Sequence, residues 1–228
     1  MYTCASLFAG VGGIDLGFEK AGVKTVYANE FDSYAADTFE KNFKIKVDRR
    51  DIHEVKASEL PDFDILLAGF PCQAFSIAGY RQGFDDEKGR GNLFFEVTRI
   101  MEEKRPRVAF FENVKNLVSH DNGNTFRVIC EQLDLLGYKY LFQVMNASEY
   151  GNIPQNRERI YIVAFRDKED YSNFSLPKSI PLTKSIKDVI DFDGEKDEKF
   201  YYTPEKCSFY DELKRSMVTS DTIYQWRR

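Results

Sequence analysis

Along most of this chain, short apolar runs alternate with turns and amphipathic segments. Thr3 to Phe8 is an apolar run that predicts a strand, and Ala9 to Gly13 is a glycine-rich turn. From Ile14 to Ala21 the apolar positions recur at helical spacing, and Gly22 ends the segment. The alternation continues with a strand at Lys24–Asn29, a helix from Asp32 to Asn42 and a strand at Ile65–Ala68. Leu93–Glu103 reads as a helix with Leu93, Phe94, Val97, Ile100 and Met101 on one face. A strand at Arg107–Phe111, a helix at Thr125–Leu136 and strands at Tyr140–Asn146 and Ile160–Phe165 complete the series. Strands separated by single helices predict an α/β fold with a doubly wound, mostly parallel, Rossmann-like sheet. After Arg166 periodicity fades: 167–199 mixes charge with proline, and 201–228 is aromatic and mixed in charge. The expected division is therefore a domain at 1–166 and an extension at 167–228.

The ends of the predicted strands carry the candidate chemistry. Ile65–Ala68 runs into Gly-Phe-Pro-Cys, and proline cannot donate to a sheet ladder, so Cys72 is expected in a loop at a strand's carboxyl end. Open α/β sheets place their ligands there. A cysteine met at random is more often a half-buried structural residue, so Cys72 needs support from its neighbours. Glu112 follows the next buried strand and is the second candidate; a cap on the following segment is its plainer role. Glu30 lies roughly 20 positions beyond the glycine turn, the spacing at which a carboxylate accepts hydrogen bonds from ribose hydroxyls. A dinucleotide fingerprint starting at Gly10 would need glycine where Asp15 stands, which favours a nucleoside cofactor without a pyrophosphate. Asp51-Ile52 is suited to an adenine edge, or Asp51 to a helix cap. The segment Tyr80 to Asn92 has no periodicity and is expected to be a mobile loop, of a length that is usually functional or disordered. Arg157 and Arg159 flank Glu158, a pattern that is usually a solvated charge cluster and in a nucleic-acid enzyme would meet phosphate or base.

Composition narrows the chemistry further. Four scattered cysteines without a C-x-x-C pair, and only two histidines, argue against a zinc site, a disulfide framework or a cysteine–histidine scheme. No metal is expected. A net charge of −5 argues against binding nucleic acid by bulk electrostatics but leaves room for a local basic face. Without an apolar run long enough for a span, or a cleavable leader, a cytoplasmic, unanchored protein is expected.

Taken together, FAGVGG (Phe8 to Gly13), Glu30, Asp51-Ile52, GFPCQAFS (Gly69 to Ser76), GNLFFE (Gly91 to Glu96), ENV (Glu112 to Val114) and QNRERIYIVAF (Gln155 to Phe165) resemble the cytosine carbon-5 DNA methyltransferases in order and spacing. The resemblance implies the sheet of the S-adenosylmethionine-dependent methyltransferases. It implies methyl transfer to carbon 5 of a flipped-out cytosine in double-stranded DNA, as in restriction–modification enzymes. The implied catalytic residues are Cys72 as nucleophile, Glu112 at ring nitrogen 3, and Arg157 and Arg159 in the pocket. S-adenosylmethionine would rest on Phe8, Ala9, Gly10, Gly12, Gly13, Glu30, Phe31, Asp51, Ile52, Pro71 and Leu93, with Phe31 standing where the family often has tryptophan. DNA would meet Gln73, Ser76, Arg81 and Asn113.

The family's later segments are not matched, so an incomplete C-terminal extension is expected. It would be the beginning of a target-recognition region, in a fragment or in the larger half of an enzyme whose second polypeptide carries the rest. A decayed remnant is the third reading. A transfer RNA cytosine methyltransferase, a non-catalytic DNA-binding partner and, least favoured, a nicotinamide oxidoreductase are the rival functions.

Overall fold

Six strands form one sheet in the order β2-β1-β3-β4-β6-β5. They are β1 (Thr3–Leu7), β2 (Lys24–Asn29), β3 (Ile65–Ala68), β4 (Val108–Val114), β5 (Lys139–Asn146) and β6 (Glu158–Phe165). The computed structural model describes residues 1–71, 93–191, 194–195 and 197–216. Pairing is parallel between β1 and β2, β1 and β3, and β3 and β4. β6 is antiparallel to both β4 and β5, so one strand runs against the other five. The expected mostly parallel sheet is found.

Helices cover both faces. In β4 the side chains alternate: Ala109, Phe111 and Asn113 are buried, while Val108, Phe110 and Glu112 are half-buried. Phe111 meets Phe94 of α3 (Leu93–Lys104) edge-on at 5.9 Å. Phe110, pointing the other way, meets Phe18 of α1 (Gly13–Lys20) at 5.1 Å. The larger core lies on the first side, where Phe94, Val97, Ile100 and Met101 join Ile129 and Leu133 of α4 (Asn124–Leu135) over Leu66, Ala109, Phe111 and Ile162. A smaller cluster packs Ala36 and Phe39 of α2 (Ser33–Phe43) on Ala28 and Val47.

Two strands run longer than their hydrophobic patterns suggest. β4 continues through Glu112 to Val114, and β6 starts at Glu158, because the two pair along their whole length from Val108↔Phe165 to Val114↔Arg159. No strand precedes Asp51: the polar stretch there makes one isolated parallel bridge, Asn29↔Asp48, and continues as a short 3-10 turn, Ile52–Glu54.

Asp15 fills the place where a dinucleotide-binding helix would carry its third glycine. It is fully buried in the first turn of α1, accepting from Ser6 Oγ at 2.8 Å and Thr25 Oγ1 at 3.2 Å. The carboxyl thereby bridges α1 to β1 and β2, where a glycine would let helix and strand close together. Burial, only partly offset by those two hydroxyls, raises its pKa. A carboxyl with a raised folded pKa contributes stability below its ordinary value and loses it as pH rises through the folded value. Asp15→Asn has no such loss, so the melting temperature of the variant relative to the parent should climb from about pH 4 upward. A difference independent of pH would contradict this.

The chain divides into two compact units, Met1–Thr183 and Lys184–Arg228. The first extends past Arg166 because α5 (Lys168–Asn173) is held there: Arg107 makes two bonds to Asp170, and the Phe165 and Phe174 rings meet at a tilt, 5.0 Å apart. In the second unit a capping box between Ser185 and Asp188 starts one turn, and Cys207 and Leu213, the latter on α6 (Tyr210–Ser216), are buried. Among the described residues no helix is long and apolar enough to cross a membrane.

Candidate active site at the carboxyl edge of the sheet

The site is built where β1, β3 and β4 end and β6 begins. Its location follows from topology. β1 sends its connection to one side and β3 lies on the other, so a crevice opens at their carboxyl ends. β6, running the opposite way, brings its amino end to that same edge. Cross-strand register sets Glu112 against Tyr161 and Val114 against Arg159, which puts Glu112 and Arg159 on one face. Arg159 Nε lies 3.1 Å from Glu112 Oε1, and Arg157 reaches the same oxygen at 3.8 Å. The Glu112 side chain is 21% exposed and the Arg159 side chain 22%, so the pair is partly screened from water. Arg159 is therefore not a solvated charge; it and Arg157, whose side chain is 51% exposed, both face the carboxylate that the sequence singles out.

The β3 end joins this pair. A Cβ placed on Gly69 would stand 3.8 Å from Glu112 Oε2 and 4.0 Å from the Phe8 carbonyl oxygen. Gly69, three residues before Cys72, thus lies beside both the Glu112 carboxylate and the Phe8 carbonyl at the head of the glycine turn. Cys72 itself, with Gln73, Ser76, Arg81 and the segment Tyr80 to Asn92, lies outside the described residues. Asn113, expected against nucleic acid, is only 4% exposed. Its amide donates to the Phe70 carbonyl at 2.8 Å, and its oxygen accepts from the Val114 amide at 2.8 Å. Both ends of this side chain are spent on backbone, and it tethers the residue just before Pro71-Cys72 to β4.

On the cofactor side, the glycines divide by role. Gly10 and Gly12 have positive φ, +56° and +89°, as does Phe8 at +54°, a costly angle for a residue with a side chain. A Cβ on Gly12 would collide with the Phe43 ring at 2.1 Å, so that glycine admits α2. Gly10 and Gly13 face open space. Glu30 closes the turn from the β2 end: one oxygen accepts from the Gly10 amide at 2.8 Å, the other from the Asp32 amide at 2.8 Å. Each oxygen keeps a second lone pair, so acceptor capacity for ribose hydroxyls remains. Phe31 beside it is 73% exposed, leaving its ring free for stacking. Asp51 takes the capping role, accepting from the His53 amide at 3.0 Å, while Ile52 is buried and Leu93 half-buried at the start of α3. These residues fit a nucleoside ligand: an open glycine turn, a carboxylate with spare acceptors and an exposed aromatic ring.

Fold and edge chemistry together define a Rossmann-like protein of the S-adenosylmethionine-dependent methyltransferase class. The chain belongs to the C-5 cytosine-specific DNA methylases, whose family model matches residues 2–227. It is 58% identical over 229 residues to the type II methyltransferase M.Bsp6I of Bacillus sp. (strain RFL6), covering 100% of this chain and 72% of that protein. It is 49% identical over 189 residues to the type II methyltransferase M.HhaI of Haemophilus parahaemolyticus, 83% of this chain and 57% of that one. Among solved structures, a DNMT2 of Spodoptera frugiperda superposes with a TM-score of 0.70 at 24% identity, covering 88% of this chain and 62% of that one. The S. pombe Dnmt2 methyltransferase gives 0.68 at 20% identity, with 94% and 67% covered. These two likenesses speak for the fold alone.

Proposed function

We propose that this protein transfers a methyl group from S-adenosylmethionine to carbon 5 of cytosine in double-stranded DNA, in the cytoplasm. The observation that carries the reading is the convergence of Glu112, Arg159 and Arg157 on the edge where Gly69 leads to Cys72. The target base must leave the helix stack to reach that edge. There the Cys72 thiolate adds to carbon 6, forming a C–S bond and pushing electron density onto carbon 5. Glu112 hydrogen-bonds ring nitrogen 3 and the exocyclic amine, drawing charge away from the ring as the thiolate attacks. Arg159 holds Glu112 Oε1, which leaves Oε2 directed towards the β3 end. S-adenosylmethionine supplies an electrophilic methyl group; Phe8, Gly10, Gly13, Glu30, Phe31, Asp51, Ile52, Pro71 and Leu93 would hold it. Carbon 5 would take that methyl group, leaving S-adenosylhomocysteine; the carbon 5 proton then departs to a base, and its electron pair breaks the C–S bond and regenerates the Cys72 thiolate.

DNA is favoured over transfer RNA because the family model that matches residues 2–227 is that of the C-5 cytosine-specific DNA methylases, and the relatives at 58% and 49% identity are type II methyltransferases. The chain is assayed with tritiated S-adenosylmethionine on DNA and on transfer RNA. One arm uses the chain alone, and another adds the remaining segment of M.Bsp6I as a second polypeptide. Label in DNA in either arm supports the proposal; label confined to transfer RNA, or none in either, contradicts it. Label in DNA only with the added segment would show that turnover needs the later segment, as both the fragment and the two-polypeptide readings require.

Asn113 has a separate consequence. Asn113→Ala removes the tether on the Phe70 carbonyl, so the rate of methyl transfer should fall roughly tenfold or more through misplacement of the Cys72 loop. Binding of S-adenosylhomocysteine should stay nearly unchanged. Calorimetry and a single-turnover assay check both halves; an unchanged rate would contradict the tether.

A further inference from the structure

We propose that Arg99 is a positioning residue of the cofactor pocket, one guanidinium that fixes the Asp51–Ile52 wall to helix α3. The proposal rests on the cofactor reading above and assigns a role to a residue outside that pocket. Arg99 Nη2 donates to the Val55 carbonyl at 2.8 Å and to the Ile52 carbonyl at 3.2 Å. These two carbonyls bracket the 3-10 turn Ile52–Glu54 that follows Asp51. The Nε of the same guanidinium donates to Glu96 Oε2 at 2.8 Å, one helical turn earlier in α3. Glu96 is the more sheltered partner, its side chain 19% exposed against 38% for Arg99.

This arrangement has the form of a clamp. α3 begins at Leu93, one expected cofactor contact, and the turn carries Asp51 and Ile52, two more. The turn's apolar side chains, Ile52 and Val55, are buried in the main core beside Phe94 and Val97. Packing of that kind holds depth but is non-directional. The turn's backbone is short of its own bonds, since the internal ones are Glu54 amide to Asp51 carbonyl and Val55 amide to Ile52 carbonyl. The charge-assisted bonds from Arg99 supply the missing direction and fix where the Asp51 carboxylate and the Ile52 side chain stand relative to Leu93. A lysine cannot span both carbonyls and Glu96 at once, because it offers a point charge in place of a planar fork.

The test measures S-adenosylhomocysteine affinity by calorimetry for the full chain, Arg99→Ala, Arg99→Lys and a control, Arg127→Ala, whose exposed partner Glu131 lies on the same helix α4. Alongside it, hydrogen exchange of the ligand-free protein is followed at the amides of residues 53–57. Arg99→Ala should weaken binding about tenfold and speed exchange in that segment. Arg99→Lys should fall between it and the parent, and the control should match the parent. A merely structural role would lower the melting temperature and the fraction competent to bind, leaving the affinity of the folded fraction unchanged. That outcome overturns the inference while the cofactor reading stands. Failure of the parent itself to bind overturns both.

Discussion

Replacing Cys72 by alanine is expected to reduce methyl transfer to background, by roughly 10⁴-fold or more, whatever segments are supplied alongside. The size of the effect follows from the chemistry of the target. Carbon 5 of cytosine is a poor nucleophile until a group adds at carbon 6, and nothing else in the proposed scheme makes that bond. The described surroundings are built to serve such a group. Gly69 brings the β3 end to Glu112, and Asn113 ties down the Phe70 carbonyl two residues before the cysteine. The expected cofactor contacts around Gly10 and Glu30 lie on the β1 and β2 side, so S-adenosylhomocysteine binding should survive the substitution. A rate measured under single-turnover conditions checks the first half and calorimetry the second. Substantial residual turnover would rule out the covalent route.

Glu112→Gln carries the second largest expected effect, a loss of roughly 10²-fold or more in the rate of methyl transfer. The amide keeps the shape of the side chain and can still accept one hydrogen bond. It has lost the charge that two guanidinium groups now face, at 3.1 and 3.8 Å. It also cannot exchange a proton with ring nitrogen 3. Because β4 and β6 are held in register by their ladder, the substitution should leave the fold intact, and the melting temperature should move far less than the rate. A rate within a few-fold of the parent would remove Glu112 from the chemistry.

Much of this architecture was legible in the order of residues, and the exceptions share a physical cause. Local signals worked. A glycine turn after an apolar run, an acidic residue at the end of the next, and glycine at helix ends are decided within a few positions of the chain. The pairing of Arg159 with Glu112 was not legible as geometry, because it depends on β6 inserting antiparallel between β4 and β5, a long-range choice that no local pattern records. For the same reason both strands run further than their apolar runs: each extends into charged residues that the partner strand's ladder supports. Asp51 had an equal claim to two roles, and the backbone amide of His53 shows the capping one. The resemblance implies Asn113 against nucleic acid, whereas its side chain is buried and bonded to the Phe70 carbonyl and the Val114 amide. The alternation that buries Ala109 and Phe111 carries residue 113 inward as well, once β4 is extended to Val114 by its pairing with β6. Asp15 was noticed only for the glycine it displaces; its two hydroxyl donors come from different strands. Arg99 offered a faint hint, standing three residues after Glu96 at the margin of an apolar helix face.

The most direct measurement uses duplex DNA carrying 5-fluorocytosine, S-adenosylmethionine and the chain, with the remaining segment of M.Bsp6I present. Fluorine at carbon 5 cannot depart as the proton does, so the reaction stops with the base still bonded to the enzyme. The account predicts a denaturation-resistant complex whose peptide map places the DNA on Cys72, formed only when S-adenosylmethionine is present and absent from Cys72→Ala. A protein that methylates ordinary cytosine yet forms no such complex, or one joined through another residue, would contradict it.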